Sequence, residues 1–170
     1  DDYEREWTMY ESSLSNEWPT TPFVQGGTFC CVGKFQEYQP KFLKKHASRL
    51  KTWSYHHYPT STCNGGISTI PQLMSVASSD WQAYSVRKWV ETAQSVNVSF
   101  LLGEANSASC GGQEGVSNTL ASALWAIDFM MGMAYMNVSR INFHGGGNGA
   151  YTWLGDARPD GSPDVRPLFY

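Results

Sequence analysis

The sequence switches repeatedly between two hydrophobic periodicities, and this limits the fold more than any other feature. Tyr3, Trp7, Tyr10 and Leu14 recur at intervals of four, three and four, which is one face of a helix. Pro22-Phe23-Val24-Gln25-Gly26 reads as a short strand, and Lys41 to Arg49, after Pro40, as a second helix. Leu50 to Tyr58 is a strand rich in aromatic and β-forming residues, ended by Pro59. Trp81 to Val96 is a helix with Trp81, Trp89, Ala93 and Val96 on or near one face. Val98-Ser99-Phe100-Leu101-Leu102 has the length and composition of a buried strand. Ser117 is placed to cap a helix running to about Tyr135, with Leu120, Ala123, Leu124, Ile127 and Met131 as its buried stripe. Ile141-Asn142-Phe143-His144 is a last strand, closed by Gly145-Gly146-Gly147.

Strands separated by helices predict an α/β fold with parallel strands and helical crossovers. A closed barrel and an open doubly wound sheet share this order. No glycine-rich phosphate loop follows a strand and opens a helix, which counts against a nucleotide-binding sheet. In a barrel, the chemistry belongs at the C-terminal ends of the strands. His56, His57, Tyr58, Glu104 and His144 all follow strands. The sequons Asn97-Val98-Ser99 and Asn137-Val138-Ser139 both precede strands, on the opposite rim.

Glu104 is the first candidate for chemistry. Strand interiors exclude acids unless the acid is paired or used, and Glu104 stands where an apolar strand leaves the core. Cys110-Gly111-Gly112 follows as a turn with accessible backbone N–H groups. The plain alternative is a strand-end glutamate that caps a loop or pairs with an arginine.

Composition narrows the function. A net charge of -3 offers no basic patch for nucleic acid. Seven Trp and nine Tyr suit a cleft that stacks flat or sugar-like faces, and suit a large core equally. Leu120 to Met136 is the longest mostly apolar stretch; it carries Asp128 and is too short for a membrane span. The chain of 170 residues opens on Asp1 and stops inside the apolar Leu168-Phe169-Tyr170, so it reads as an internal piece of a longer protein forming one partial domain over 1–170. The four cysteines, 30, 31, 63 and 110, lack zinc-type spacing, so neither a metal nor another cofactor is expected. With the sequons they point to a secreted glycoprotein.

Gly103-Glu104-Ala105-Asn106-Ser107, Cys110-Gly111-Gly112, Gly115-Val116-Ser117-Asn118, Ala123-Leu124-Trp125-Ala126-Ile127-Asp128 and Asn142-Phe143-His144-Gly145-Gly146 resemble glycoside hydrolase family 79, its fungal β-glucuronidase branch most of all. The resemblance implies the C-terminal half, about strands 5–8, of a (β/α)8 TIM barrel truncated at both ends. It implies a retaining hydrolase of β-linked glucuronic acid, with Glu104 as nucleophile. Such an enzyme needs two carboxyl groups about 5–5.5 Å apart. The second, in an Asn-Glu-Pro motif ending the fourth strand, would lie upstream of Asp1. Asn16-Glu17-Trp18-Pro19 imitates that motif, but it follows a helix and falls on the wrong rim.

By the same resemblance Tyr58 would donate to Glu104 or to the sugar. His57, Asn106, His144 and Tyr151 would bind substrate, with Gly111 and Gly112 presenting amides to the uronic carboxylate. Cys63 and Cys110, in neighbouring loops, would form a disulfide, and Cys30 and Cys31 remain unassigned. Other readings stay open: a retaining barrel glycosidase for a neutral sugar, a non-catalytic carbohydrate binder, and a cysteine hydrolase using Cys110 and His144.

Overall fold

The computed structural model describes residues 2–18, 24–31, 37–145 and 149–170. Helix α1 (Asp2–Glu17) leads to strand β1 (Val24–Phe29), helix α2 (Tyr38–His46) and strand β2 (Leu50–His57). The short strand β3 (Thr60–Ser61) and one-turn helix α3 (Ile70–Leu73) precede helix α4 (Val76–Gln94). Strand β4 (Ser99–Ala105), short strand β5 (Ala108–Ser109), helix α5 (Leu120–Tyr135) and strand β6 (Ile141–Phe143) complete the pattern. The main sheet runs β1-β2-β4-β6, every pair parallel. A second parallel pair, β3 with β5, sits above it; two-residue strands carry too little pattern to be read in advance. Pro22 and Phe23 of the first expected strand, and Gly146 and Gly147 after the last, lie outside the described residues.

The core forms where the sheet meets α4 and α5. Trp53, Tyr55, Phe100 and Leu102 are buried against Val86, Trp89, Val90 and Ala93 of α4 and Trp125, Phe129 and Met133 of α5. Each such side chain contributes about 1.5–3 kcal/mol of apolar burial. One polar chain crosses this interior: Trp125 Nε1 donates to Gln82 Oε1 at 3.1 Å, and Gln82 Nε2 to Ser78 Oγ at 2.8 Å. It satisfies groups that would otherwise be costly to bury.

Three expectations are corrected here. Helix α4 begins at Val76 with Ser75 as its N-cap, five residues before Trp81, and Trp81 is exposed. Helix α5 is preceded by Thr119; Ser117 is buried, and its hydroxyl accepts from Gln113 N and Ser107 Oγ. The expected stripe on α5 is reversed: Leu120, Leu124, Ile127 and Met131 are exposed, whereas Trp125, Phe129 and Met133 face the sheet. The helix carries two apolar faces, and periodicity alone does not say which one meets the sheet. The larger aromatic surface of Trp125 and Phe129 takes that side. Among the described residues, no helix is long and apolar enough to cross a membrane.

Helices α4 and α5 stop in the same way. Val98 N donates to Ala93 O at 3.0 Å and Asn97 N to Gln94 O at 2.9 Å; Val138 N donates to Met133 O at 3.0 Å and Asn137 N to Ala134 O at 2.9 Å. Asn97 and Asn137 both have left-handed backbones, φ 60° and 61°. This is the Schellman stop, with asparagine where glycine is commonest.

Candidate active site

Strand alternation assigns the side chains. In β2, Trp53, Tyr55 and His57 share the face turned to the helices, and Ser54 and His56 the other. In β4 the same rule would turn Glu104 towards the helices, on the face of Phe100 and Leu102. A β-bulge prevents this. Tyr55 pairs with Leu102, but the next residue, His56, pairs with Glu104, so Gly103 is skipped. One extra residue flips the side chains beyond it, and bulges re-aim residues in this way beside functional sites. Gly103 permits the bulge because a β-carbon there would clash with Ser54 Oγ.

Glu104 thereby enters a cleft of roughly 720 Å³ at the C-terminal ends of β1, β2, β4 and β6. The Glu104 side chain is 32 % exposed. Tyr58 Oη donates to its Oε1 at 2.5 Å, and His56 Nδ1 lies 3.6 Å from Oε2. His144 Nδ1 is 3.8 Å from Oε1 and 2.7 Å from Tyr151 Oη. Tyr58 spends its proton on Glu104, and the donor in the Tyr151 Oη–His144 Nδ1 bond is set by the imidazole tautomer. Burial, then the hydrogen bond and charge of Glu104, raise the Tyr58 pKa far above the usual phenol range. Burial, then the Glu104 charge, also raise that of Tyr151, opposed by a backbone hydrogen bond from Gly111. Both phenols are held fully protonated.

Asn106 supports this arrangement from beneath. It is buried; its Nδ2 donates to His144 O at 2.7 Å and Tyr151 O at 3.4 Å, while Ser107 N donates to its Oδ1 at 2.7 Å. These bonds occupy the side chain, so the structure makes it a clamp on the segment carrying His144 and Tyr151, where the sequence suggested a substrate contact. His57 differs from expectation more strongly. It is 4 % exposed, its ring stacks on Phe129 at 5.9 Å, and burial drops its pKa to about 4. His56 is the histidine beside Glu104. The alternation Trp53, Tyr55, His57 carried that signal, since it groups His57 with the core.

The loops over the cleft are tied together. Cys63 and Cys110 are bonded, Thr60 Oγ1 donates to Ser107 O at 2.7 Å, and Thr62 Oγ1 to Ser109 O at 2.8 Å. Cys110, Gly111 and Gly112 have φ of 63°, 93° and 83°. Gly111 N–H turns to Tyr151, a β-carbon on Gly112 would meet Tyr151 N at 2.8 Å, and neither glycine lines the cleft, where the resemblance had expected both amides. Glu17 ends α1 in solvent, and Glu104 is the one carboxylate among the described residues lining the cleft. A partly exposed carboxylate flanked by phenol and imidazole groups is an arrangement suited to nucleophilic or acid–base chemistry at a polar, hydroxyl-bearing substrate.

No family model matches the chain. A Neurospora crassa beta-glucuronidase is 29 % identical over 105 residues, which are 60 % of this chain and 19 % of the relative. An Aspergillus niger beta-glucuronidase is 38 % identical over 78 residues, 38 % of this chain and 14 % of the relative. The matched segments thus span less than a fifth of these curated relatives. Among solved structures, a 4-O-alpha-L-rhamnosyl-beta-D-glucuronidase from Fusarium oxysporum aligns with a TM-score of 0.81 at 23 % identity, covering 98 % of this chain and 35 % of that one. A GH51 arabinofuranosidase from Xanthomonas axonopodis aligns with a TM-score of 0.68 at 11 % identity, covering 98 % and 37 %. The fold is therefore the parallel α/β arrangement found in TIM-barrel glycosidases.

Proposed function

We propose that this chain is the nucleophile-bearing portion, about strands 5–8, of the barrel of a family 79 glycoside hydrolase that releases β-linked glucuronic acid with retention. The bulge at Gly103, which delivers Glu104 to Tyr58 in the cleft, is the observation that carries this reading. The fungal beta-glucuronidase relatives supply the substrate class. Glu104 attacks the anomeric carbon while Tyr58 holds its other lone pairs in place. A glutamate outside these 170 residues protonates the leaving oxygen and then activates water, since the cleft offers no second carboxylate among the described residues.

The uronic carboxylate is met by Tyr151 Oη, braced by Gly111 N–H, and by the His144 ring. No Lys or Arg lines the cleft among the described residues. Cys63 and Cys110 hold the loops in an oxidising, extracellular setting, with N-glycans on Asn97 and Asn137 at the rim away from the cleft.

Glu104→Gln in the full-length protein keeps the side chain's shape and removes its nucleophilicity. Turnover of an aryl glucuronide should fall by more than about 10³-fold, with partial rescue by azide. Near-normal kcat in this variant would sink the assignment.

A further inference from the structure

Around Glu104 the cleft is lined by His56, Tyr58, His144 and Tyr151 and by the Cys63–Cys110 disulfide, with Pro59 and Trp81 beside them; across from these, at the end of β1, it is lined by Cys30 and Cys31. Their sulfurs are bonded to each other, and both residues are exposed. Consecutive residues of an extended strand point to opposite faces. Adjacent side chains meet only where the backbone leaves that conformation, and Cys31 does so, with a φ of 70°. A left-handed conformation is uncommon for a residue other than glycine, and such conformations concentrate at ligand-binding positions.

Strand β1 pairs with β2, and β2 with β4. The cysteine pair therefore stands two strands, roughly 10 Å, from the strand of Glu104, which leaves room for a sugar ring between them. A bonded pair of sulfurs has no hydrogen to donate and is soft and polarisable. It suits the C–H face of a ring and offers little to hydroxyl groups. In a double displacement the leaving group departs on the side away from the attacking carboxylate.

We propose that the Cys30–Cys31 disulfide is a binding platform for the leaving-group ring of the substrate. This rests on the glycosidase reading above. The side chains around Glu104 hold the glycosyl ring that is attacked, and the Cys30–Cys31 pair at the end of β1 packs against the ring that departs.

Two measurements on the full-length protein test this. Non-reducing peptide mapping with thiol alkylation should recover Cys30 and Cys31 unalkylated in a single peptide, two hydrogens lighter than the dithiol form. Alkylation of both, or a link from either to another cysteine, overturns the proposal. The double variant Cys30→Ser with Cys31→Gly removes the sulfurs and puts glycine at the left-handed position, so the backbone is kept. It should raise KM for 4-nitrophenyl glucuronide about fivefold, the scale of a small apolar contact, with kcat little changed. The inhibition constant of free glucuronate, which has no leaving group, should not move. Equal weakening of both ligands, or of neither, overturns the platform. A wild-type protein that turns over no glycoside would instead defeat the glycosidase reading and this proposal with it, a result distinct from a working enzyme indifferent to the variant.

Discussion

At the N-terminal ends of β4 and β6 the chain makes the same turn twice, Asn-Val-Ser in each case, with matching hydrogen bonds and matching left-handed asparagines. At the C-terminal ends of the same strands nothing repeats. There β4 carries a bulge, Cys110 to Gly112 run through three successive positive φ angles, and side chains from separate strands converge on Glu104. One rim follows local rules because its backbone has only to turn the chain. The other breaks local rules, and such departures concentrate where a protein acts on something else.

The sharpest way to test this contrast is at the irregular rim. Tyr58→Phe removes the donor to Glu104 and little else. Full-length enzyme should lose roughly 10- to 100-fold in kcat, the worth of a hydrogen bond to a charged group, with its thermal midpoint little changed. A large fall in stability with normal kcat would recast Tyr58 as a packing residue.

His57, beneath that rim, should make the fold acid-sensitive. Its folded pKa is about 4, against 6.5 for an unperturbed histidine. Between those values the unfolded chain holds the proton and the folded chain does not. Stability is therefore fully present above about pH 6.5 and is lost as pH falls towards 4, by about 3 kcal/mol. Urea unfolding of His57→Phe, which can still stack on Phe129, should lack this part of the pH dependence. An unchanged profile would show that His57 does not control it.

The bulge itself can be probed by a pair of changes. Gly103→Ala drives a β-carbon into Ser54 Oγ and should cost about 1–3 kcal/mol. Ser54 is buried and its hydroxyl has no hydrogen-bond partner among the described residues, so Ser54→Ala should be close to neutral. The double variant should recover most of the loss, because the Ser54 β-carbon stands 3.6 Å away, an ordinary contact. Additive losses would mean that the bulge needs glycine for some other reason.

The smallest effects belong to the regular rim. Asn97→Ala should cost about 1 kcal/mol and Asn97→Gly almost nothing, since only the left-handed φ is at stake. Thermal unfolding of both variants would check this, and a costly Asn97→Gly would reveal a contact beyond the turn.

The same contrast explains what could be read from the sequence. The order of elements, the parallel sheet and the strand end carrying Glu104 follow from periodicity and strand length. The contact of Tyr58 with Glu104 was expected from the family resemblance. What escaped depended on contacts between distant segments. Period-2 alternation cannot announce a bulge, so the route by which Glu104 reaches the cleft was hidden. The two apolar stripes of α5 are equivalent until the sheet chooses between them. Asn106 looks like any polar residue after a strand until its partners, the carbonyls of His144 and Tyr151, are brought beside it. Cys30 and Cys31 look unpaired in the sequence, because neighbouring cysteines meet only once the backbone turns at Cys31.

The asparagine that stops each helix is also the acceptor residue of a sequon, so one side chain answers to two demands. Erasing an oligosaccharide by the customary Asn→Gln exchange would also force a bulky residue into a left-handed turn. A loss of secretion or solubility after that exchange could then be credited to sugar when the fault lies in the helix stop. Glycine at 97 or 137 separates the two: it deletes the acceptor amide and keeps the turn. Mass differences and yields measured on the glycine variants would report on the carbohydrate alone.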